Sequence, residues 1–460
     1  MPPAGMEPSL PHDHSSLSLW HRTTRSFPHL HANRLNPVPP ATKYVIVGSG
    51  ISGALTGWEL IESGVKGDEI VILEAREAVS GASGRNAGHI RPDSFRGFPG
   101  YAASHGNEQA RKILENEKAV LENVRQFVKQ HNIDCDFKYT TTYEVGISEE
   151  FVEILSTAFA AFEATGGDVS HIKFYEGDEA KKKTRVPTAL CAYESPAASN
   201  HPAKLVQWIL SDFIEKGGSL WTHCPAVKVV SSESDTSRWD VHTPRGIISA
   251  ENVIHCTNAY AAYLLPGLTR FITPRSSQVS SFTPRLSLSG EYVPKHTMAL
   301  RYGRDHFFSF NTLKNGTILF GGTGTRDEQD IDKNFDRITF NDAQYSKVLA
   351  SNSAREFDIL CQEPESIPLR NGEGLDYSWT GIIGTTPDNA PLIGPIDGLQ
   401  GQWICAGFNG HGMAGIFTCA PGLVKLIMGE PWKATGLPEC FQFSTARINR
   451  FSQAQAKARI

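Results

Sequence analysis

The residues best suited to chemistry lie early in the chain, in Lys43-Tyr44-Val45-Ile46-Val47-Gly48-Ser49-Gly50-Ile51-Ser52-Gly53. An apolar run followed by three glycines predicts a buried strand, a tight turn and the start of a helix. Gly48 permits the sharp turn. Gly50 leaves no Cβ in the path of a pyrophosphate, and Gly53 lets the helix lie close to the strand. The helix expected over 52–63 would aim its first amides and its positive dipole end at phosphates, so Ser49, Ile51 and Ser52 belong to the same candidate site. A second strand, 69–73, ends in Glu74, about 20 residues past the last glycine, where a carboxylate bonds a ribose hydroxyl pair. Ala75 and Arg76, which follow it, are counted with the same cofactor-binding site. A bare turn in a parallel sheet would need neither the acid nor its spacing. An acid at position 74 disfavours a 2′-phosphate, and hence NADP; the pattern leaves NAD and FAD both open.

Three later stretches share this character. The loop Val79-Ser80-Gly81-Ala82-Ser83-Gly84-Arg85-Asn86-Ala87-Gly88-His89-Ile90-Arg91-Pro92-Asp93 is mostly Gly, Ala and Ser before His89, which lets a flat ligand press on main chain. Arg85, His89 and Arg91 set it apart from a plain surface loop. The run Asn252 to Cys256 reads as a buried strand ending in the polar turn Thr257-Asn258. From Trp379 the chain is glycine-rich again, and Phe408-Asn409-Gly410-His411-Gly412-Met413 leads into a helix ending near Gly429. This is a second strand, glycine turn and helix, at the other end of the chain.

The elements that must position these residues follow from periodicity. Helices are expected over 107–130, with Ile113, Val120, Val124 and Phe127 on one stripe and the charges on a solvated face, then over 151–164 and from Asn200-His201-Pro202 to Lys216. Strands are expected over 136–147, with Phe137, Tyr139 and Val145, and over 219–230. A hairpin joins 239–241 to 246–249, and further strands cover 274–282, 306–310 and 317–321. Phe307, Phe308 and Phe310 read as core. Because the strand–helix pattern returns after a long interval, an insertion with its own alternating strands is implied. Residues 1–42 read as a polar tail, disordered at its start, with Trp20 to Pro40 draped over the next domain. His12, His14, His29 and His31 in that tail lack further ligands for a metal.

The chain has 460 residues and a formal charge of −5, which argues against a nucleic-acid partner. It has no apolar run of about 18 residues for a membrane span and no secretory leader pattern at its start. Its eight cysteines form no CxxC pair, so reduced thiols in a cytoplasmic protein are expected, with no metal site. The last residues, Lys457-Ala458-Arg459-Ile460, are not the Ser-Lys-Leu peroxisomal address, although a peroxisomal location stays open.

Four segments together, Val47 to Gly53, Gly81 to Gly88, Cys256-Thr257-Asn258-Ala259-Tyr260 and Gly407 to Met413, resemble the D-amino-acid oxidase-like (DAO) family of FAD-dependent oxidoreductases, especially its amine and sarcosine oxidase-like branch. The likeness spans about residues 43–430. It implies an α/β fold: a discontinuous Rossmann-like FAD-binding domain (43–105, 196–265 and 376–440) and an inserted α+β substrate domain on a mostly antiparallel sheet (106–195 and 266–375). Residues 1–42 and 441–460 are the tails. The resemblance implies that Ser83, Arg85, Asn86 and Ala87, before Gly88, run along the flavin and its phosphates. It places Ala226 near adenine, Thr257 and Asn258 beside the cofactor, and Gly410, His411, Gly412 and Met413 at the pyrimidine end of the ring. There the helix dipole, and His411 as a cation, could stabilise charge that arrives with a hydride.

Aligned through Gly88, Arg91 falls where sarcosine oxidase-like enzymes grip a substrate carboxylate, a task that suits a guanidinium. The alternative is an arginine at the surface or on a phosphate. Two departures bear on the cofactor. The family's tethering cysteine aligns with Gly381 and its tethering histidine with Arg85, so FAD is expected to be non-covalent. Two departures bear on the reaction. An oxygen-activating lysine has no counterpart in Ile318 to Gly324, and a second carboxylate-gripping lysine is replaced by Ala414. The expectation is an FAD-dependent oxidoreductase that oxidises a C–N bond of an amine or amino acid to an imine by hydride transfer to flavin, with room for a larger substrate than sarcosine. The alternatives are an FAD dehydrogenase with an acceptor other than oxygen, and a redox-silent flavin-binding protein. Oligomeric state is not legible.

Overall fold

A computed structural model of the chain describes residues 6–303, 306–322, 337–363 and 367–457. The strand Ala41–Val47 is covered on both faces, as its unbroken apolar run requires. Val45 and Val47 pack with Val71, Leu73, Val241 and Val253 on one side. Ile46 packs on the other with Leu55 and Trp58 of the helix Ile51–Glu62 and with Phe213 of the helix Pro202–Glu215. Ala41–Val47 pairs in parallel with Ile70–Leu73 and with Gly246–His255. Ser219–Trp221 extends the sheet in parallel beyond Ile70–Leu73, and Gln402–Ala406 does so beyond Gly246–His255. The late glycine-rich segment therefore returns to the sheet that holds the early one. The antiparallel strands Leu392–Pro395, Trp239–Thr243 and Lys228–Ser231 complete eight strands.

The second sheet has nine strands. Its path runs Gly374–Thr385, Thr273–Thr283, Ile318–Gly322, Phe307–Thr312, Thr297–Arg301, Lys138–Gly146, Cys191–Ser199 and His89–Ile90, with Lys173–Glu176 beside Cys191–Ser199. All pairs are antiparallel except Thr297–Arg301 with Lys138–Gly146. One of its faces packs Tyr143, Val145, Phe282, Phe308, Phe310 and Phe320 against Phe357 and Leu360 of the helix Lys347–Cys361. Mostly antiparallel pairing is what the alternating strands predict. The strands His89–Ile90 and Gly374–Thr385 lie in this sheet, so the boundaries drawn at 105 and 376 do not coincide with its edges.

Several expectations change. The run 219–230 is two strands, Ser219–Trp221 and Lys228–Ser231, separated by a loop containing Pro225 and Ala226. The hairpin arm and the strand at 252 are one element, Gly246–His255, because it pairs with Trp239–Thr243 at its start and with Ala41–Val47 along its length. The strands Cys191–Ser199 and Thr297–Arg301 and the helix Lys347–Cys361 were not foreseen. The two ends of the chain are folded within the described residues. Trp20 is 1% exposed and donates its indole N–H to the Asn86 carbonyl at 2.7 Å. Near the other end, buried Arg447 clamps Asp388 at 2.7 and 3.1 Å. Among the described residues, no helix is long and apolar enough to cross a membrane.

Candidate functional site

Gly48 adopts φ +107°, and a Cβ there would lie 2.8 Å from the Cys256 carbonyl oxygen. A Cβ on Gly53 would lie 1.9 Å from the Gly48 carbonyl oxygen, so helix and strand touch where only glycine fits. Gly50 borders open space, apart from Ser83 Oγ at 3.1 Å from its ideal Cβ. That hydroxyl accepts the Ile51 amide at 2.9 Å. The Glu74 carboxylate accepts the Ser49 amide at 3.0 Å, the Ser49 hydroxyl at 2.7 Å and the Arg76 amide at 3.0 Å.

A cavity of about 610 Å³ runs across this turn. Its walls include Gly48, Gly50, Ile51, Ser52, Glu74, Ala75 and Arg76 from the first unit, and Ser83, Arg85, Asn86, Ala87 and Arg91 from the lean loop. They also include Ala226, Thr257 and Asn258, then Gly410, His411, Gly412 and Met413. Ser49, Gly53 and Gly88 stand behind the wall, where Gly88 lets the chain pass within reach of the Asn200 carbonyl and Trp20. Both glycine turns thus border one space. Ser52 Oγ donates to the Cys405 carbonyl at 3.2 Å, and Asn258 Oδ1 accepts the amides of Gly407 and Phe408 at 2.9 and 3.1 Å.

The arginine heads near the first unit bond mainly to protein, although Arg85 Nη2 is buried with no hydrogen-bond partner among the described residues. Arg76 bonds both Asp342 oxygens at 2.9 and 3.0 Å and the His12 carbonyl at 3.1 Å. Arg85 donates to the carbonyls of Ser80, Ser16 and Thr380 at 2.7, 2.6 and 3.0 Å.

The far end is polar and dense in charge. Arg91, Arg96 and Arg301 converge on Glu144: Arg91 through Nη2, Arg96 Nε at 3.3 Å and Arg301 Nε at 2.5 Å. Arg96 also holds Asp93 at 2.9 Å. Among these five, three cations face two carboxylates; Glu117, which also acts on Arg91, is offset only while its partner His411 is protonated. Burial, with Arg301 and Arg96 beside it, pulls Arg91 down to about 9, so it stays charged at neutral pH. Nearby, His411 Nδ1 lies 3.1 and 3.4 Å from the Glu117 oxygens, and Glu117 raises the imidazole pKa.

The buried polar atoms fit a large ligand. Thr257 Oγ1 and both His89 ring nitrogens, on the cavity wall, have no hydrogen-bond partner among the described residues. The open approach at Gly50 and the helix amides behind it suit a pyrophosphate.

Sequence reasoning did not find Leu10, Pro11, Asp93, Arg96, Glu144, Arg301 or Glu117. Leu10 and Pro11 line the cavity, although their segment reads as tail. The helix bearing Glu117 reads as solvated on its charged face, yet Glu117 is 5% exposed. Its signal was present: it stands four residues after Ile113 and three before Val120, on the apolar stripe. Glu144 and Arg301 offered no such sign.

A profile of the family described as FAD dependent oxidoreductase matches residues 43–426. Gamma-glutamylputrescine oxidoreductase of Escherichia coli (strain K12) is 23% identical over 394 residues, covering 84% of this chain and 83% of that protein. Among solved structures, glycine oxidase from Geobacillus kaustophilus superposes with a TM-score of 0.66 at 18% identity, covering 85% of this chain and 96% of the other. L-proline dehydrogenase from P. horikoshii gives 0.64 at 20% identity, covering 88% and 98%.

Proposed function

The chain belongs to the FAD dependent oxidoreductase family, and from that premise we propose that it oxidises a C–N bond of an amine or amino acid carrying an acidic group. Its cofactor is FAD, which when bound accepts a hydride from the carbon next to nitrogen. In this reading the Gly48 to Ser52 turn and Ser83 hold the pyrophosphate, Glu74 the ribose, and Ala226 the adenine. Thr257 and the His89 ring meet the cofactor with their free polar atoms, and Gly410 to Met413 meet the pyrimidine end of the ring. No covalent tether is expected.

The observation that carries the substrate reading is the convergence of Arg91, Arg96 and Arg301 on Glu144 and Asp93 at the same cavity, which leaves one positive charge in excess while Glu117 is paired with a protonated His411. One carboxylate neutralises that excess. Arg91 fixes that carboxylate, and the buried walls keep water from the reacting carbon. The amine must arrive neutral, so that its lone pair can form the C=N bond of a protonated imine as hydride leaves; water then hydrolyses that iminium to a carbonyl compound and an amine or ammonium. Anaerobic titration with paired acids and amides of amines, following the flavin band near about 450 nm, tests this. Bleaching by an acid-bearing amine is expected. A flavin that dithionite reduces but no amine does would refute the proposal and favour a redox-silent binder.

A second reading, a dehydrogenase with another electron acceptor, is favoured by one observation. Among the described residues, no lysine lines the cavity. Peroxide formation in air by the substrate-reduced protein would set it aside.

A further inference from the structure

Glu117 is an acid in the wrong place for a solvated helix. The helix Asn107–Gln130 carries Glu108, Glu115 and Glu122 as well, but only Glu117 among these acids is buried. A carboxylate out of water needs partners. Those partners come from two other parts of the chain. Its Oε2 accepts the Asp93 amide at 2.6 Å, and its two oxygens stand 3.1 and 3.4 Å from His411 Nδ1. One side chain therefore joins the substrate-domain helix, the lean loop and the late glycine turn.

His411 is held at both ends of its residue. Its amide donates to the Phe408 carbonyl at 2.8 Å, and Glu117 fixes a proton on Nδ1. The ring borders the cavity, and Nε2 has no hydrogen-bond partner among the described residues. Three other charges bear on it: Glu117 and Asp93 favour the protonated ring, while Arg96 opposes it. Had Glu117 served only to brace the Asp93 loop, one oxygen would have sufficed and His411 could have pointed elsewhere.

We propose that Glu117 is a positioning residue for the flavin: it holds His411 as an imidazolium through Nδ1–H, so that Nε2–H presents a hydrogen-bond donor to the pyrimidine edge of the bound ring. This deepens the proposed function and rests on its placement of Gly410 to Met413 at that edge. Charge that arrives on the ring with a hydride then meets a fixed donor instead of water.

Sulfite tests it without a substrate, because its addition to oxidised flavin leaves negative charge at the pyrimidine end. The FAD-loaded wild type is compared with Glu117→Gln, His411→Asn and the double variant at one pH. Each single variant is expected to bind sulfite roughly tenfold to a hundredfold more weakly, the worth of one hydrogen bond to a charged group. The double variant should be no weaker than His411→Asn. Weaker binding in His411→Asn but not in Glu117→Gln overturns the positioning role and leaves the placement of the turn standing. Unchanged binding in both overturns the placement as well. If Glu117→Gln fails to hold FAD, Glu117→Asp replaces it: affinity between wild type and His411→Asn supports the proposal, and wild-type affinity overturns it.

Discussion

Arg91→Ala should separate acids from amides. In the structure Arg91 shares Glu144 with Arg96 and Arg301, so removing it leaves Glu144 doubly paired and the fold intact. What changes is the charge around Glu144 and Asp93, which falls by one unit. At about 5 Å and an effective dielectric of about 20, one unit charge acts on a carboxylate with about 3 kcal/mol. Loss of the bidentate contact falls in the same range, about 1.5–3 kcal/mol, and the two are one interaction counted twice. The reductive half-reaction of an acid-bearing amine should therefore slow about 10- to 150-fold in kcat/KM, mostly through KM. Its primary amide should change by less than about threefold, since it carries no charge to lose. Arg91→Lys keeps the charge but not the fork, and should fall between. Stopped-flow reduction under nitrogen with a matched acid and amide measures all three. Equal losses for acid and amide would refute the carboxylate role. A loss of FAD in Arg91→Ala would place the arginine on the cofactor instead.

Three further outcomes follow from the same geometry. Trp20→Ala removes a buried indole that backs Gly88 and bonds the Asn86 carbonyl, which should cost about 3–5 kcal/mol; it should also hasten FAD release on gel filtration, and unchanged retention would sever the N-terminal segment from the cofactor site. Burial lowers His21, His201 and His255 to about 4, so the unfolded chain binds more protons between about 4 and the ordinary value near 6.5. Stability should thus be full above about 6.5 and decline as pH falls through that window, before most carboxylates titrate, and a thermal midpoint flat from pH 6.5 to 5 would contradict this. Acid precipitation should leave the flavin in solution, because Gly381 offers no nucleophile and burial raises Cys256, the one cysteine among the described cavity residues, to about 11; a yellow pellet would show a covalent link.

What could be read from the sequence was local. The first glycine turn sits between a strand and a helix that fall within a residue or two of their expected ends, and the long helix starts at Asn107 and stops at Gln130 as its periodicity requires. Each depends on neighbours a few residues apart. The strand Cys191–Ser199 was hidden by Pro196, which faces Thr141 inside a two-sided strand and normally argues for an edge. The tail gave no period because its burial depends on single residues: Trp20 and Ser18 each bond a carbonyl of the lean loop 66 residues away.

The two ends of the cavity differ in legibility for a physical reason. The end at the first glycine turn, proposed to hold the cofactor, is made largely of main chain, and close approach of a ligand to main chain favours glycine, so spacing marks it. The other end is made of side chains that meet across strands: Arg301 reaches Glu144 over 157 residues, and His411 reaches Glu117 over 294. No pattern within a window of one element records such a pair. The same division sets what can change without loss of the fold. Residues at Gly48 and Gly53 are fixed by contacts that admit no Cβ. The Arg91, Arg96, Arg301 and Glu144 group is expected to tolerate exchange only where no buried charge is left unpaired. Substitutions there should move substrate preference while leaving FAD bound, whereas a Cβ at either glycine should abolish both.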